Sequence, residues 1–140
     1  MTLVAVLLAV TVATVLAEDT QAEAVARGKA LLGLLDKAEY ATAYEAGSAV
    51  LRQAVSAEAF ASGIKAAAGM VGERKSRKLV KTTHHTALNG MKGDFYVLRF
   101  DSSYAKLPRA AELLTVSHED KQWKLGGYQV LRPDAVPAGF

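Results

Sequence analysis

"GDFYVLRFDSSYAKLPRAAELLTVSHEDKQWKLGGYQV", residues 93–130, decides the fold. It is rich in Tyr, Phe, Val, Thr and Leu, and its apolar residues recur at every second position, which is the strand period. Two interruptions divide it. "AKLPR" carries a proline that limits a strand, and "EDKQ" is a charged turn. Three strands follow, at about Asp94–Tyr104, Ala111–His118 and Trp123–Leu131. Upstream, "NGMKG" supplies two glycines for a turn, and about Arg77–Leu88 reads as a fourth strand. Short connections make the strands antiparallel neighbours in a meander.

The turns set an expected register. Leu88 opposite Asp94 places His84 against Leu98 and His85 against Val97, and Ser103 opposite Ala111 places Tyr96 against His118. Tyr96, Leu98, Phe100, Leu114, Val116, Trp123 and Leu125 then share one face, the core face. Gly126-Gly127 predicts a bulge that keeps Tyr128 and Val130 inward. The inward set of the first strand is Val80, Thr82, His84, Thr86 and Leu88, three of them polar.

Residues 18 to about 73 contain no proline and are rich in Ala, Leu, Glu and Lys, strong helix formers. Three helices are expected. The first buries Ala22, Val25, Leu32 and Leu35 and ends at "DKAEY"; the second covers Tyr40 to Ala54; the third starts after Ser56 as N-cap, buries Phe60, Ile64, Ala67 and Val71, and stops at Gly72. Helices followed by strands predict an α+β domain, with three N-terminal helices packed on a four-stranded antiparallel sheet. The domain spans residues 18–132, and the Pro- and Gly-containing 133–140 reads as a flexible tail.

"MTLVAVLLAVTVATVLA", residues 1–17, has no charged side chain and is followed by Glu18 and Asp19. Its apolar run and its Val15-Leu16-Ala17 end read as a signal peptide cut after Ala17, so a periplasmic or secreted location is expected. An uncleaved anchor is the alternative, but the run is short of the roughly 20 apolar residues of a span and has no flanking Lys or Arg. The chain has no cysteine, which excludes disulfides, thiolate metal sites, cysteine nucleophiles and lipid attachment at the cleavage site.

A net charge of +3 without one long basic patch gives no nucleic-acid signature. Gly-rich phosphate loops, G-x-S-x-G and H-E-x-x-H are absent. The adjacent histidines of "KTTHHTAL", residues 81–88, invite a metal reading, but neighbours in a strand face opposite sides, so His84 and His85 do not meet at one ion. His84 turns inward and His85 to solvent. "HED", 118–120, falls at a hairpin tip, and "GERKSRK", 72–78, is a solvated connector whose cations suit a helix C-terminus.

"LLDKAEY", "YVLRF", "ELLTV" and "WKLGGY" carry a resemblance. The mature chain resembles the bacterial domain of unknown function 4019, through Asp36 and Tyr40, Tyr96 to Phe100, Glu112 to Val116, and Trp123 to Tyr128. The resemblance implies a small exported α+β protein of nuclear-transport-factor-2-like (NTF2-like) or cystatin-like architecture, and it brings no catalytic residues.

The sequence supports a non-catalytic module that binds a small ligand or a protein partner, with no cofactor, no metal, no nucleic acid and no membrane span after cleavage. The polar inward stripe, Thr82, His84 and Thr86 with Tyr96, is the expected ligand site. The alternative is an enzyme with a pocket between helices and sheet and His84 as general base.

Overall fold

The computed structural model describes the backbone of residues 3–140 and the side chains of residues 20–140. The side chains of the expected signal segment lie outside those described. Among the described residues four α-helices precede four strands: α1 (Leu3–Asp36), α2 (Tyr40–Glu45), α3 (Ala49–Ala54), α4 (Ala57–Val71), β1 (Arg74–Leu88), β2 (Met91–Tyr104), β3 (Leu107–Glu119) and β4 (Gln122–Leu131). The sheet is antiparallel in the order β1-β2-β3-β4. The α+β class and the meander are as the alternation predicts.

The helix count differs from the expected three, because the second expected helix is two. Gly47 separates α2 from α3. A Cβ there would lie 2.7 Å from the Tyr44 carbonyl oxygen and 2.9 Å from Leu51 Cδ2. The chain at 46–48 leaves the helical path and pairs with the edge of β4: Ser48 N donates to Leu125 O at 2.8 Å, and Leu125 N to Ala46 O at 2.9 Å. Ser48 then caps α3 through its hydroxyl, which accepts from Leu51 N. Ser56 caps α4 in the same way, with Ala59 N as donor.

The strands are longer than expected and their turns tighter. Asn89-Gly90 and Asp120-Lys121 close two hairpins with positive φ at both residues, the twist that suits paired strands. With "NGMKG" reduced to a two-residue turn, His84 stands opposite Tyr96 and Thr82 opposite Leu98. Across β2 and β3, Tyr96 faces Val116 rather than His118. The second register is off by two residues, and so is the first over Lys81–His85, an even slip that leaves side chains on their faces; at Arg77–Leu79 and Ala87–Leu88 the first is off by three. Tyr96, Leu98, Phe100, Leu114, Val116, Trp123 and Leu125 accordingly form one buried cluster. Gly126 is the unpaired residue of a bulge between Leu125 and Gly127, and Tyr128 stays on the core side opposite Leu114.

β1 departs from the expected inward set. The ladder skips Val80, which is exposed, and Leu79 packs on the core in its place. His85, expected in solvent, is half-buried against the Phe140 ring at 5.1 Å. Residues 133–140, read as a tail, run back along the outer face of the sheet. They form a short 3-10 turn at Pro133–Ala135, and Arg99 Nη1 donates to Phe140 O at 3.1 Å.

The α1 stripe is Ala24, Leu31, Leu32 and Leu35, with Ala22 exposed. Gly28 fixes this rotation. A Cβ on it would stand 2.8 Å from Leu98 Cδ2, so the helix lies close on the sheet only with this residue beneath it.

Candidate binding cleft and its polar floor

α4 is anchored at its two ends, with Ile64 packed on the edge of the core between them. Phe60 at one end is buried beside Tyr44, ring centroids 5.6 Å apart. Val71 at the other is buried with Tyr104 and Ala110, and its carbonyl accepts from Lys106 N at 2.8 Å. Between these points the expected core stripe is not closed over. Ile64 and Ala67 are half-buried, and they look across a gap toward Tyr128 and Val130 of β4.

The gap has two parts. A recess of about 220 Å³ lies between the end of α1, α4 and the sheet, and includes Asp36, Tyr40, Arg74 and Tyr104. A wider groove of about 920 Å³ continues past α3 and around the edge of β4, to Phe95, Leu113 and Phe140 on the outer face. Ile64, Ala67, Tyr128 and Val130 wall both parts, so they form one cleft. Among the described residues, no charged side chain lines the wider groove, although 22% of the chain is charged.

Below the narrow end sits a charge cluster, buried at Glu112 and nearly so at the Arg77 side chain, and exposed at Asp36 and Arg74. Glu112 has no exposed surface. Its parity on β3 is that of Leu114 and Val116, so it must enter the core and find a cation there. Arg77 of β1 provides it. Nε donates to Glu112 Oε1 and Nη2 to Oε2, both at 2.8 Å. Ser102 Oγ donates to Oε1 and the Tyr128 hydroxyl to Oε2. The other side of the Arg77 guanidinium holds Asp36, with Nη1 to Oδ2 at 2.7 Å and Nη2 to Oδ1 at 3.0 Å. Arg74 Nη2 joins Asp36 Oδ2 at 3.3 Å. Two carboxylates and two guanidiniums leave the cluster neutral.

These contacts fix protonation. Burial alone raises the Glu112 carboxyl, but the Arg77 guanidinium and the two hydroxyls outweigh it and hold the group below its ordinary range. Burial, and then the charge of Glu112, push the Tyr128 phenol up. Burial raises Tyr104 as well. Around neutral pH the carboxylate is therefore fixed as an anion and both phenols as neutral groups. Both Glu112 oxygens already accept two bonds each, so its hydrogen-bonding capacity is filled within the protein.

The residues singled out from the sequence lie elsewhere. Thr82, His84, Thr86 and Tyr96 line neither part of the cleft. His84 and Tyr96 do come together, ring centroids 4.8 Å apart, in a row that continues through Trp123 to His118. His84 itself is exposed, and its Nε2 donates to Asp94 Oδ1 at 2.6 Å. Thr82 is half-buried and Thr86 exposed, whereas Tyr96 is buried, its phenol raised by burial and by Asp94. Among the described residues no group of three or more His, Cys, Asp or Glu side chains is gathered to hold a metal ion.

Asp36, Glu112 and Tyr128, three residues of the stretches that carry the family resemblance, meet at this cluster. A family model for proteins of unknown function, DUF4019, matches residues 27–128. The chain belongs to the DUF4019 family. The match to DUF4019 takes in every member of the cluster, from Asp36 to Tyr128. A search of the curated proteins finds no match. Among solved structures, the 1.8 Å structure of Aln2 from a Streptomyces species is similar in fold, with TM-score 0.51 and 16% identity over 83% of this chain and 92% of that one. No helix among the described residues is long and apolar enough to cross a membrane.

Proposed function

We propose that this DUF4019 protein is a non-catalytic binding module that takes an apolar occupant into the cleft between α4 and β4. The observation that carries the reading is the wall of the wider groove, which has no charged side chain in its described lining and faces an apolar helix stripe left half-open. A cavity of this size with an apolar body and few polar groups suits ligands rather than solvent. Glu112 at the floor supports binding over catalysis, because it is held as an anion with both oxygens already accepting two bonds each. His84, the base of the alternative enzyme reading, stands exposed outside the cleft. We place the module in the periplasm or outside the cell, on the apolar character of residues 1–17. We assign its architecture to the NTF2-like or cystatin-like group, on helices laid over one face of a bulged antiparallel sheet.

The neutral dye N-phenyl-1-naphthylamine tests the cleft. The intact chain is expected to bind it saturably, with enhanced emission, and Ala67→Trp, which fills the gap, to weaken binding at least about tenfold. Saturable binding that Ala67→Trp leaves unchanged, or no saturable binding at all, overturns the reading. The mature N-terminus tests export: mass spectrometry of protein from the producing cell is expected to find Glu18 first, and a chain retaining residues 1–17 overturns it.

A further inference from the structure

We propose that the natural occupant of the cleft is an extended polypeptide segment of another protein, added to the free edge of β4 as a fifth strand. The proposal rests on the cleft being a binding site, and it names what binds there.

Three features of the edge point to a peptide. First, the edge already accepts one. The 46–48 segment pairs with Leu125 in the parallel sense, through both the N–H and the C=O of that residue. Those groups therefore point away from β3. Second, the bulge at Gly126 resets the alternation, so that Tyr128 and Val130, opposite Leu114 and Glu112, present their backbone groups to the same outer side. Among the described residues neither has a backbone partner on that side. Two donor–acceptor sets spaced two residues apart are what an incoming strand pairs with. Third, Tyr128 and Val130 line the cleft. Ile64 and Ala67 stand over one face of the added strand, and Thr115, Gln129 and Leu131 lie toward the other.

The lining gives the chemistry of the partner. An added strand places alternate side chains on opposite sides. Those toward α4 meet apolar surface and are apolar. Those on the other side meet Thr115 and Gln129 and are small or uncharged. A charged side chain finds no oppositely charged side chain along the described lining of the wider groove. A bare edge beside apolar surface is also a known risk of self-pairing, so a second copy of this chain is the competing occupant.

A phage-displayed library of random decapeptides, panned on the full chain, tests the proposal. Selected sequences are expected to alternate apolar and uncharged residues over at least four positions. In NMR the amides of Tyr128 and Val130 are expected to gain protection from solvent exchange when a selected peptide binds. N-methylation of that peptide at alternate positions, on the edge facing β4, is expected to weaken it about tenfold or more, since each lost pairing removes bonds worth about that factor. Val130→Pro, which removes one edge donor, is expected to have a similar effect. N-methylation serves as the control that leaves the protein unaltered.

Each contrary result is distinct. If N-phenyl-1-naphthylamine binds but no peptide is enriched, the strand proposal falls and the cleft reading stands. If neither binds, both fall. Selected peptides that tolerate N-methylation on both edges overturn strand addition. Concentration-dependent dimers that protect Tyr128 and Val130 without peptide show the second copy to be the occupant, and overturn the proposal.

Discussion

Arg77 and Glu112, on strands that are not neighbours, close a two-pronged ion pair across the inner face of the sheet, both N–O distances 2.8 Å. The carboxylate is wholly buried and the guanidinium nearly so. Removing one partner of such a pair leaves an uncompensated charge in the core, at a cost of about 3–5 kcal/mol. Arg77→Met is therefore expected to lower the unfolding free energy by that amount in urea titration. Arg77→Met combined with Glu112→Leu is expected to recover more than half of the loss. Equal destabilisation by the single and double variants would show that the charge pair is not what holds this corner.

Acid sensitivity follows from the same pair. The unfolded Glu112 takes a proton near its ordinary 4.5, and the folded one only at lower pH. Between those values the unfolded chain binds more protons, so falling pH favours unfolding. Stability from this group is fully present above about 4.5 and is lost as pH falls through the depressed value. Urea midpoints measured from pH 6 down to pH 3 are expected to fall more steeply for the wild type than for Glu112→Gln.

At high pH the sign reverses, because burial holds Tyr104 and Tyr128 in the neutral form. Each contributes stability that is present below its ordinary pKa of 10.0 and is lost as pH rises through the folded value. Ultraviolet titration of phenolate absorbance is expected to show a late component in the folded chain, shrinking in Tyr128→Phe. A single transition near pH 10 in both proteins would contradict it.

Two glycines set distances between elements. Gly28→Leu places a side chain where a Cβ alone already stands 2.8 Å from Leu98 Cδ2, and overpacking of this kind costs about 1–3 kcal/mol. Gly47→Ala meets the Tyr44 carbonyl oxygen at 2.7 Å, a backbone atom that does not rotate away. It is expected to destabilise and to speed amide exchange at Ser48 and Leu125, whose pairing depends on that turn.

His84→Ala removes an exposed pair with Asp94, and such pairs contribute about 0–1 kcal/mol. The variant is expected to bind N-phenyl-1-naphthylamine as the wild type does. A large loss of dye affinity would return the ligand site to the strand-one stripe.

Much of the fold was legible because strand faces obey parity. The register expected from "AKLPR" was wrong by two residues, as was that from "NGMKG" over Lys81–His85, and the core face of β2 to β4 survived because that slip was even. The Gly126-Gly127 bulge was visible for a similar reason, since Tyr128 and Val130 would otherwise turn outward. The break at Gly47 was not legible. It is imposed by Leu125, almost eighty residues away, and no local propensity records that. Val80 was misassigned because nothing in "RKLVK" announces a bulge.

The polar floor was only partly in view. Glu112 shares the parity of the core residues Leu114 and Val116, so a carboxylate on the core face was there to be read. Its partner sat in "GERKSRK", which looks like a solvated run. Only the pairing of β1 with β2, which places Arg77 opposite Ser102, shows that one of its four cations turns inward. His84 drew attention because its stripe is polar on a face that should be apolar. The structure accounts for that by exposure, since the stripe lies where the helices do not cover the sheet.

α4 behaves as a beam pinned at both supports. Phe60 and Val71 hold its ends, and the span between them carries Gly63, Gly69, a run of alanines and, as its large apolar contact with the core, the half-buried Ile64. The width of the opening is therefore set at the supports and not by what fills it. A change at either support, Phe60 or Val71, alters how wide the opening stands over Tyr128 and Val130.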